Sequence, residues 1–146
     1  MKAEYPPLLP PGIHDFSVDA LHNVFVLPFQ SDRREYLYQR LRIFSEHLQR
    51  TGISCEVWID GSFCTGKPDP GDVDIVVFVN PDEVNSLPQD KLEIMEDLLN
   101  REETIDRFNC DAYFCDNTNP AWRSYWRGWF GFTRAEVPKG IARVIV

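Results

Sequence analysis

The chain has 146 residues, 43% hydrophobic and 26% charged, which suits one globular core rather than a collagenous, coiled-coil or disordered chain. Its longest apolar run, residues 75–79, is far too short for a bilayer, and the opening MKAEYPPLLPPG has no apolar h-region, so the expectation is a cytoplasmic protein with no membrane contact. The net charge of −8 argues against a long phosphate-binding groove, although residues 117–146 carry +4 and residues 1–116 carry −12. A basic tail on an acidic body suits a local phosphate contact, or an electrostatic seam within the chain or toward a protein partner.

Residues 1–12, with Pro6, Pro7, Pro10 and Pro11, read as an extended arm. Ser17 can cap a short helix over 17–27 that Pro28 ends. Leu37, Leu41, Phe44 and Leu48 recur at i, i+4, i+7 and i+11, which predicts a helix over 33–50, capped by Ser31 or Asp32 and closed by Gly52. A strand over 55–60 sets Cys55, Val57 and Ile59 on one face and Glu56 and Trp58 on the other. Residues 63–71 read as a loop, and the apolar run 73–79 as an interior strand covered on both faces and stopped by Pro81. A second amphipathic helix over 89–100, a strand over 110–115, a Trp-rich helix near 122–129 and a final strand over 141–146 complete one domain, residues 1–146, of mixed α/β (α+β) class. Neither the four cysteines nor His14, His22 and His47 have zinc-site spacing, so buried free thiols are expected.

Chemistry concentrates in Asp60-Gly61-Ser62 and Asp72-Val73-Asp74. Residues i and i+2 of a strand share a face, so Asp72 and Asp74 converge with Cα atoms roughly 6.5–7 Å apart. Two carboxylates that close repel each other unless a cation lies between them, and Mg²⁺ suits a few carboxylates completed by water and phosphate oxygens. Gly61 permits close backbone approach, and the amides after it, with the Ser62 hydroxyl, can meet a phosphate. Asp111, opening a later strand, offers a third carboxylate, and three such groups can hold two metals about 3.5–4 Å apart for in-line transfer.

The pattern Gly61-Ser62, Asp72-Val73-Asp74, then a strand with Asp111 resembles the nucleotidyltransferase superfamily of the DNA polymerase β type. It looks most like the minimal nucleotidyltransferases of prokaryotes, several of which act in toxin–antitoxin or phage-defence pairs. The frame of Leu9-Pro10-Pro11-Gly12-Ile13-His14-Asp15, Asp60-Gly61-Ser62-Phe63 and Pro138-Lys139-Gly140-Ile141 also looks like an uncharacterised bacterial family of that kind. The motif spans residues 55–115. The resemblance implies a mixed sheet flanked by helices, Mg²⁺ held by Asp72, Asp74 and Asp111 as the catalytic carboxylates, and an NTP held near Gly61, Ser62 and Lys67. It further implies transfer of a nucleoside monophosphate to a hydroxyl on RNA, protein or a small molecule. The loop before Asp72 carries Lys67 and two prolines where many relatives have an Arg-rich segment, and a loop lysine also reads as simply solvated.

Each feature has a plainer reading. Asp-x-Asp after Pro70-Gly71 also suits a turn, Ser62 a helix cap, and Asp60 and Glu56 structural or exposed positions. His14-Asp15 in its proline-rich setting reads as a turn. Trp122, Trp126 and Trp129 at helical spacing read first as a core-facing stripe and second as a partner surface. The second functional reading is a non-catalytic interaction module on the same fold, such as an antitoxin or a defence-system partner.

Overall fold

The computed structural model describes residues 4–146, so the first three positions of the proline-rich arm lie outside the described residues. From Pro6 onward the arm is not the uninterrupted extended segment expected: Pro7 bridges Thr65, the chain bends at Leu8, Leu9 and Pro11, and the arm is stitched to the body. The Pro6 carbonyl accepts from Gly66 N (2.8 Å), Leu8 N donates to Cys64 O (3.0 Å), and Leu9 O accepts from Gly140 N (3.2 Å). Gly140 makes that passage possible, because a Cβ there would strike the Pro10 carbonyl oxygen.

Five strands form one mixed sheet: β1 (Gly12–Asp15), β2 (Glu56–Asp60), β3 (Val73–Val79), β4 (Cys110–Asp116) and β5 (Gly140–Ile145), in the order β1-β5-β2-β3-β4. β1 runs parallel to β5 and β3 parallel to β4, while β2 is antiparallel to both of its neighbours. β1 corrects the turn expected at His14-Asp15: Ile13 pairs with Ile141, and the edge strand satisfies its backbone on β5.

Six helices cover the sheet: α1 (Val18–Phe25), α2 (Asp32–Arg50), α3 (Pro81–Asn85), α4 (Gln89–Leu99), α5 (Arg101–Phe108) and α6 (Pro120–Phe130). Ser17 caps α1 through Ala20 N, and of the two candidates for α2 it is Ser31 that accepts, from Arg34 N. Pro81 does end β3, but as the first residue of α3, where its missing N–H is harmless. The sequence reading passed over α5, which starts when Asn100 ends α4 and caps the next helix through Glu103 N.

The alternation along the strands splits the interior in two. Val57, Ile59, Val73, Ile75 and Val77 face the main core with Leu37, Leu41, Phe44 and Leu48 of α2. Trp58, Val76, Phe78 and Ile141 face a smaller cluster roofed by Trp126 and Phe130 of α6. Burying a side chain of this size contributes roughly 1.5–3 kcal/mol, so α2 and β3, which bury more apolar side chains than any other element, contribute more than any other element. The Trp-rich stripe is corrected by this packing. Only Trp126 and Phe130 turn inward, while Trp122, Tyr125 and Trp129 stand exposed at 42%, 49% and 64%. All four cysteines are buried free thiols, as expected. Among the described residues no helix is long and apolar enough to cross a membrane.

The basic tail is largely spent inside the molecule. Arg123 pairs with Glu56, Arg143 with Asp15 and Glu56, and Lys139 with Asp60. That is the intramolecular seam expected from the charge asymmetry.

Candidate metal centre

Strand register assembles the acidic site. Asp60 at the end of β2 lies opposite Asp74 of β3, and Asp74 lies opposite Asp111 of β4, so all three side chains share one sheet face. Asp72 precedes β3 by one residue, behind a turn whose Pro70 and Gly71 carbonyls accept from Arg33. One carboxylate oxygen each of Asp72, Asp74 and Asp111 lies within 4.8 Å of the other two. These are the three carboxylates expected from the sequence.

The Gly61–Cys64 segment is a single 3-10 turn rather than the start of an α-helix. Its cap is the Asp60 side chain, which accepts from Gly61 N at 2.9 Å; Ser62 closes the turn by its carbonyl, accepting from Thr65 N and Thr65 Oγ1. A phosphate here would meet the half-buried Ser62 hydroxyl and the turn amides, without the dipole of a long helix. Gly61 has φ +76°, and a Cβ on it would overlap Asp74 Oδ2. Gly61→Ala is therefore expected to push the Asp74 carboxylate out of the cluster and weaken any divalent-cation binding there at least tenfold, measured by isothermal titration with Mg²⁺. Wild-type affinity in that variant would show that the backbone contact at Gly61 is dispensable.

Electrostatics set this corner apart from an ordinary acidic surface. Burial, reinforced by the charges of Asp72 and Asp111, pushes the Asp74 carboxyl up to about 7. Asp72 is raised as well, by burial and then by Asp111, with Lys67, Arg33 and Arg101 opposing. Lys67 thus faces Asp72 as a half-buried cation, and its carbonyl is fixed by Arg34. A carboxyl that binds its proton more tightly when folded stabilises the fold when protonated. The folded protein holds the extra proton between about pH 4 and pH 7, so stability falls as pH rises through that window. Thermal unfolding without divalent cations is expected to show, for these groups, a higher melting temperature at pH 5 than at pH 7.5. Saturating Mg²⁺ should narrow or reverse the difference, because the cation replaces the proton.

Asp60 was read as structural or exposed, and it is fully buried. Lys139 Nζ lies 2.8 Å from its Oδ1, while Oδ2 has no hydrogen-bond partner among the described residues. Burial pushes this carboxyl to about 7, against the pull of Lys139 and the Gly61 amide. Glu56 is likewise structural, bridging Arg123, Arg143 and Trp58 Nε1.

The donor set fits a hard divalent cation. It is all carboxylate oxygen, its members repel one another, and an orphaned buried carboxylate oxygen lies on the neighbouring strand. Asp111 comes with a competitor, since Arg101 Nε and Nη2 grip its two oxygens at 2.6 and 2.9 Å. Arg101→Gln is expected to release Asp111 and raise Mg²⁺ affinity several-fold in a calorimetric titration. Unchanged affinity would remove Asp111 from the cation-binding set.

Sequence reasoning missed Arg34, Arg101 and Lys139. Lys139 had only the charge asymmetry of the tail as a signal, whereas Arg34 had a local one. It stands three residues before Leu37, on the inward stripe of α2, and it is fully buried. No curated protein and no solved structure matches the chain. A family model described as a family of unknown function (DUF6932) matches residues 2–145, and the chain belongs to that family.

Proposed function

We propose that this protein is an Mg²⁺-dependent nucleotidyltransferase that moves a nucleoside monophosphate from an NTP to a hydroxyl acceptor on RNA, protein or a small molecule. The observation that carries the reading is the convergence of Asp72, Asp74 and Asp111 within 4.8 Å on one sheet face. The Gly61-Ser62 turn is packed against the middle carboxylate, and the motif's resemblance to the polymerase β superfamily supports the same reading.

In this reading Asp72 and Asp74 would hold the cation, with Asp111, now paired with Arg101, as the third carboxylate available to it. Bound there, Mg²⁺ supplies charge neutralisation for the triphosphate and polarises the phosphorus under attack. The chain's own groups do the positioning. The 3-10 turn sets Gly61 against Asp74 with Ser62 next in the chain, Lys67 brings a positive charge toward Asp72, and the rigid ends of β3 and β4 fix the carboxylates.

Thermal unfolding with each NTP, with and without Mg²⁺, tests this without knowledge of the acceptor. A ligand at about 100 times its dissociation constant stabilises the folded state by roughly 2.7 kcal/mol. The expected result is an Mg²⁺-dependent rise with at least one NTP that disappears in the Asp72→Asn/Asp74→Asn double variant. No rise with any NTP would contradict the reading.

One observation favours a second reading, a non-catalytic interaction module such as an antitoxin or defence-system partner. Trp122, Tyr125 and Trp129 form an exposed aromatic face on α6, a composition enriched at protein interfaces. A stoichiometric protein partner that binds Asp74→Asn as tightly as wild type, with no NTP response, would support it.

A further inference from the structure

One row of side chains crosses the whole sheet beside the metal centre. Asp111, Asp74 and Asp60 are successive partners on β4, β3 and β2. Continuing the β2–β5 register, in which Ile59 pairs with Ala142, sets Ile141 beside Asp60; Ile141 then pairs with Ile13 on β1. The row is therefore acidic over three strands and apolar over the last two. Above the apolar end lies a cavity of about 400 Å³, lined by Ile13, Ile141, Phe132, Pro138, Arg127 and Lys139 among others. Its size and its mainly apolar lining with a few polar groups are those of a small-molecule site.

Lys139 joins the two halves. It lines the cavity while its ammonium reaches Asp60, and its backbone N–H is fixed on Gly131 O at 2.8 Å. Arg127, exposed on α6, lines the same cavity and has no ion-pair partner among the described residues. Arg127 beside an apolar cavity complements an anionic ligand that carries a flat uncharged part, while the Lys139 charge is already met by Asp60. From Asp74 on β3 to Ile141 on β5 is two strand spacings, roughly 9–10 Å, which matches the reach from the phosphates of a nucleotide to its base.

We propose that this cavity seats the heterocyclic base of the substrate nucleotide, with Lys139 between base and phosphates; the inference rests on the nucleotidyltransferase reading above. Base selection then falls to the β1–β5 edge and the end of α6, and the phosphate turn takes no part in it. Ile13 and Ile141 form the floor, and Phe132, 45% exposed, supplies an aromatic wall that a ring can stack on.

The test compares two probes in Mg²⁺ by calorimetry: each of the four ribonucleoside triphosphates, and inorganic tripolyphosphate, which has no base. Ile13→Phe fills the floor and Phe132→Ala removes the wall; the exposed position of Phe132 keeps that variant foldable if Ile13→Phe is not. The expected result is a loss of at least tenfold in affinity for the best-bound NTP with tripolyphosphate unchanged. Wild-type NTP affinity in folded variants would overturn the inference, and so would an equal loss for both probes, which would mean a disturbed metal centre. In either case, loss of both probes in Asp74→Asn would leave the nucleotidyltransferase reading standing. Failure of wild type to bind either probe would overturn the reading and the inference together.

Discussion

Asp74→Asn is expected to make the cation-free protein more stable at pH 7.5 while abolishing its response to Mg²⁺ and nucleotide. Asp74 is charged at that pH only at a cost, because burial and two neighbouring carboxylates have pushed its pKa up to about 7. Each unit of such a shift corresponds to about 1.4 kcal/mol, and asparagine keeps the shape and polarity while removing the charge. A gain on the order of 2 kcal/mol is expected, or roughly 5–10 °C in melting temperature for a domain of this size. The opposite signs of the two effects are diagnostic. A purely structural aspartate would lose stability on substitution, whereas a ligand-binding carboxylate held in strained company gains it. Thermal unfolding of both proteins at pH 7.5, with and without Mg²⁺ and NTP, reads both effects. A melting temperature below wild type, with the ligand response retained, would contradict the assignment.

Arg34→Met is expected to produce the largest loss of stability. The Arg34 guanidinium is fully buried with no carboxylate in contact among the described residues. Nη1 donates to Phe25 O and Phe63 O, both at 2.7 Å, and Nη2 donates to Thr65 O and Lys67 O, both at 2.6 Å. Its plane also stacks on Phe29, 3.8 Å from the ring centroid. One side chain thereby ties the end of α1 and the body of α2 to the turn that carries Gly61 and Ser62. Methionine fills much of the volume but strands four carbonyls, and losing a buried charged network of this kind costs about 3–5 kcal/mol. Against a typical total of about 5–15 kcal/mol, that leaves a marginal fold. Lysine is no substitute, because a single ammonium cannot reach four carbonyls arranged around a planar fork. Denaturant unfolding gives the loss directly. Hydrogen exchange should show amides 61–67 opening first in the Arg34→Lys variant. A variant within about 0.5 kcal/mol of wild type would mean that water replaces the guanidinium at little cost.

These two residues also mark what was legible in the sequence. Asp72 and Asp74 could be named because strand periodicity is simple: two residues apart means one face, and an apolar run such as 73–79 announces an interior strand; Asp111 was reached only as an acid opening a later strand and through the motif's resemblance. Long helices with a clean apolar stripe, such as α2, were equally plain. The short elements were not. β1 has four residues among prolines and glycine and is a strand only because β5 arrives alongside it from the far end of the chain. α5 has a mostly charged sequence and is held by Phe108 and Thr104 beneath it and by the Asn100 cap. The salt-linked pairs were illegible for the same reason. Lys139 finds Asp60, and Arg101 finds Asp111, through strand register and a helix end, which no local pattern encodes. The exposed tryptophans mislead in the opposite direction. Helical spacing places Trp122, Trp126 and Trp129 on related faces, but of the three only Trp126, with Phe130, packs on the sheet.

On the proposed reading, the three carboxylates form a divalent-cation site that nucleotide completes. Mn²⁺ makes the most direct probe, since it takes the same oxygen ligands as Mg²⁺ and its free form is counted by electron paramagnetic resonance. Titrating Mn²⁺ into wild type and Asp74→Asn, each with and without NTP, is expected to show one or two ions bound to wild type. Nucleotide should tighten that binding, and neither effect should survive in the variant. Equal Mn²⁺ binding by the two proteins, or binding that nucleotide leaves unchanged, would contradict the account.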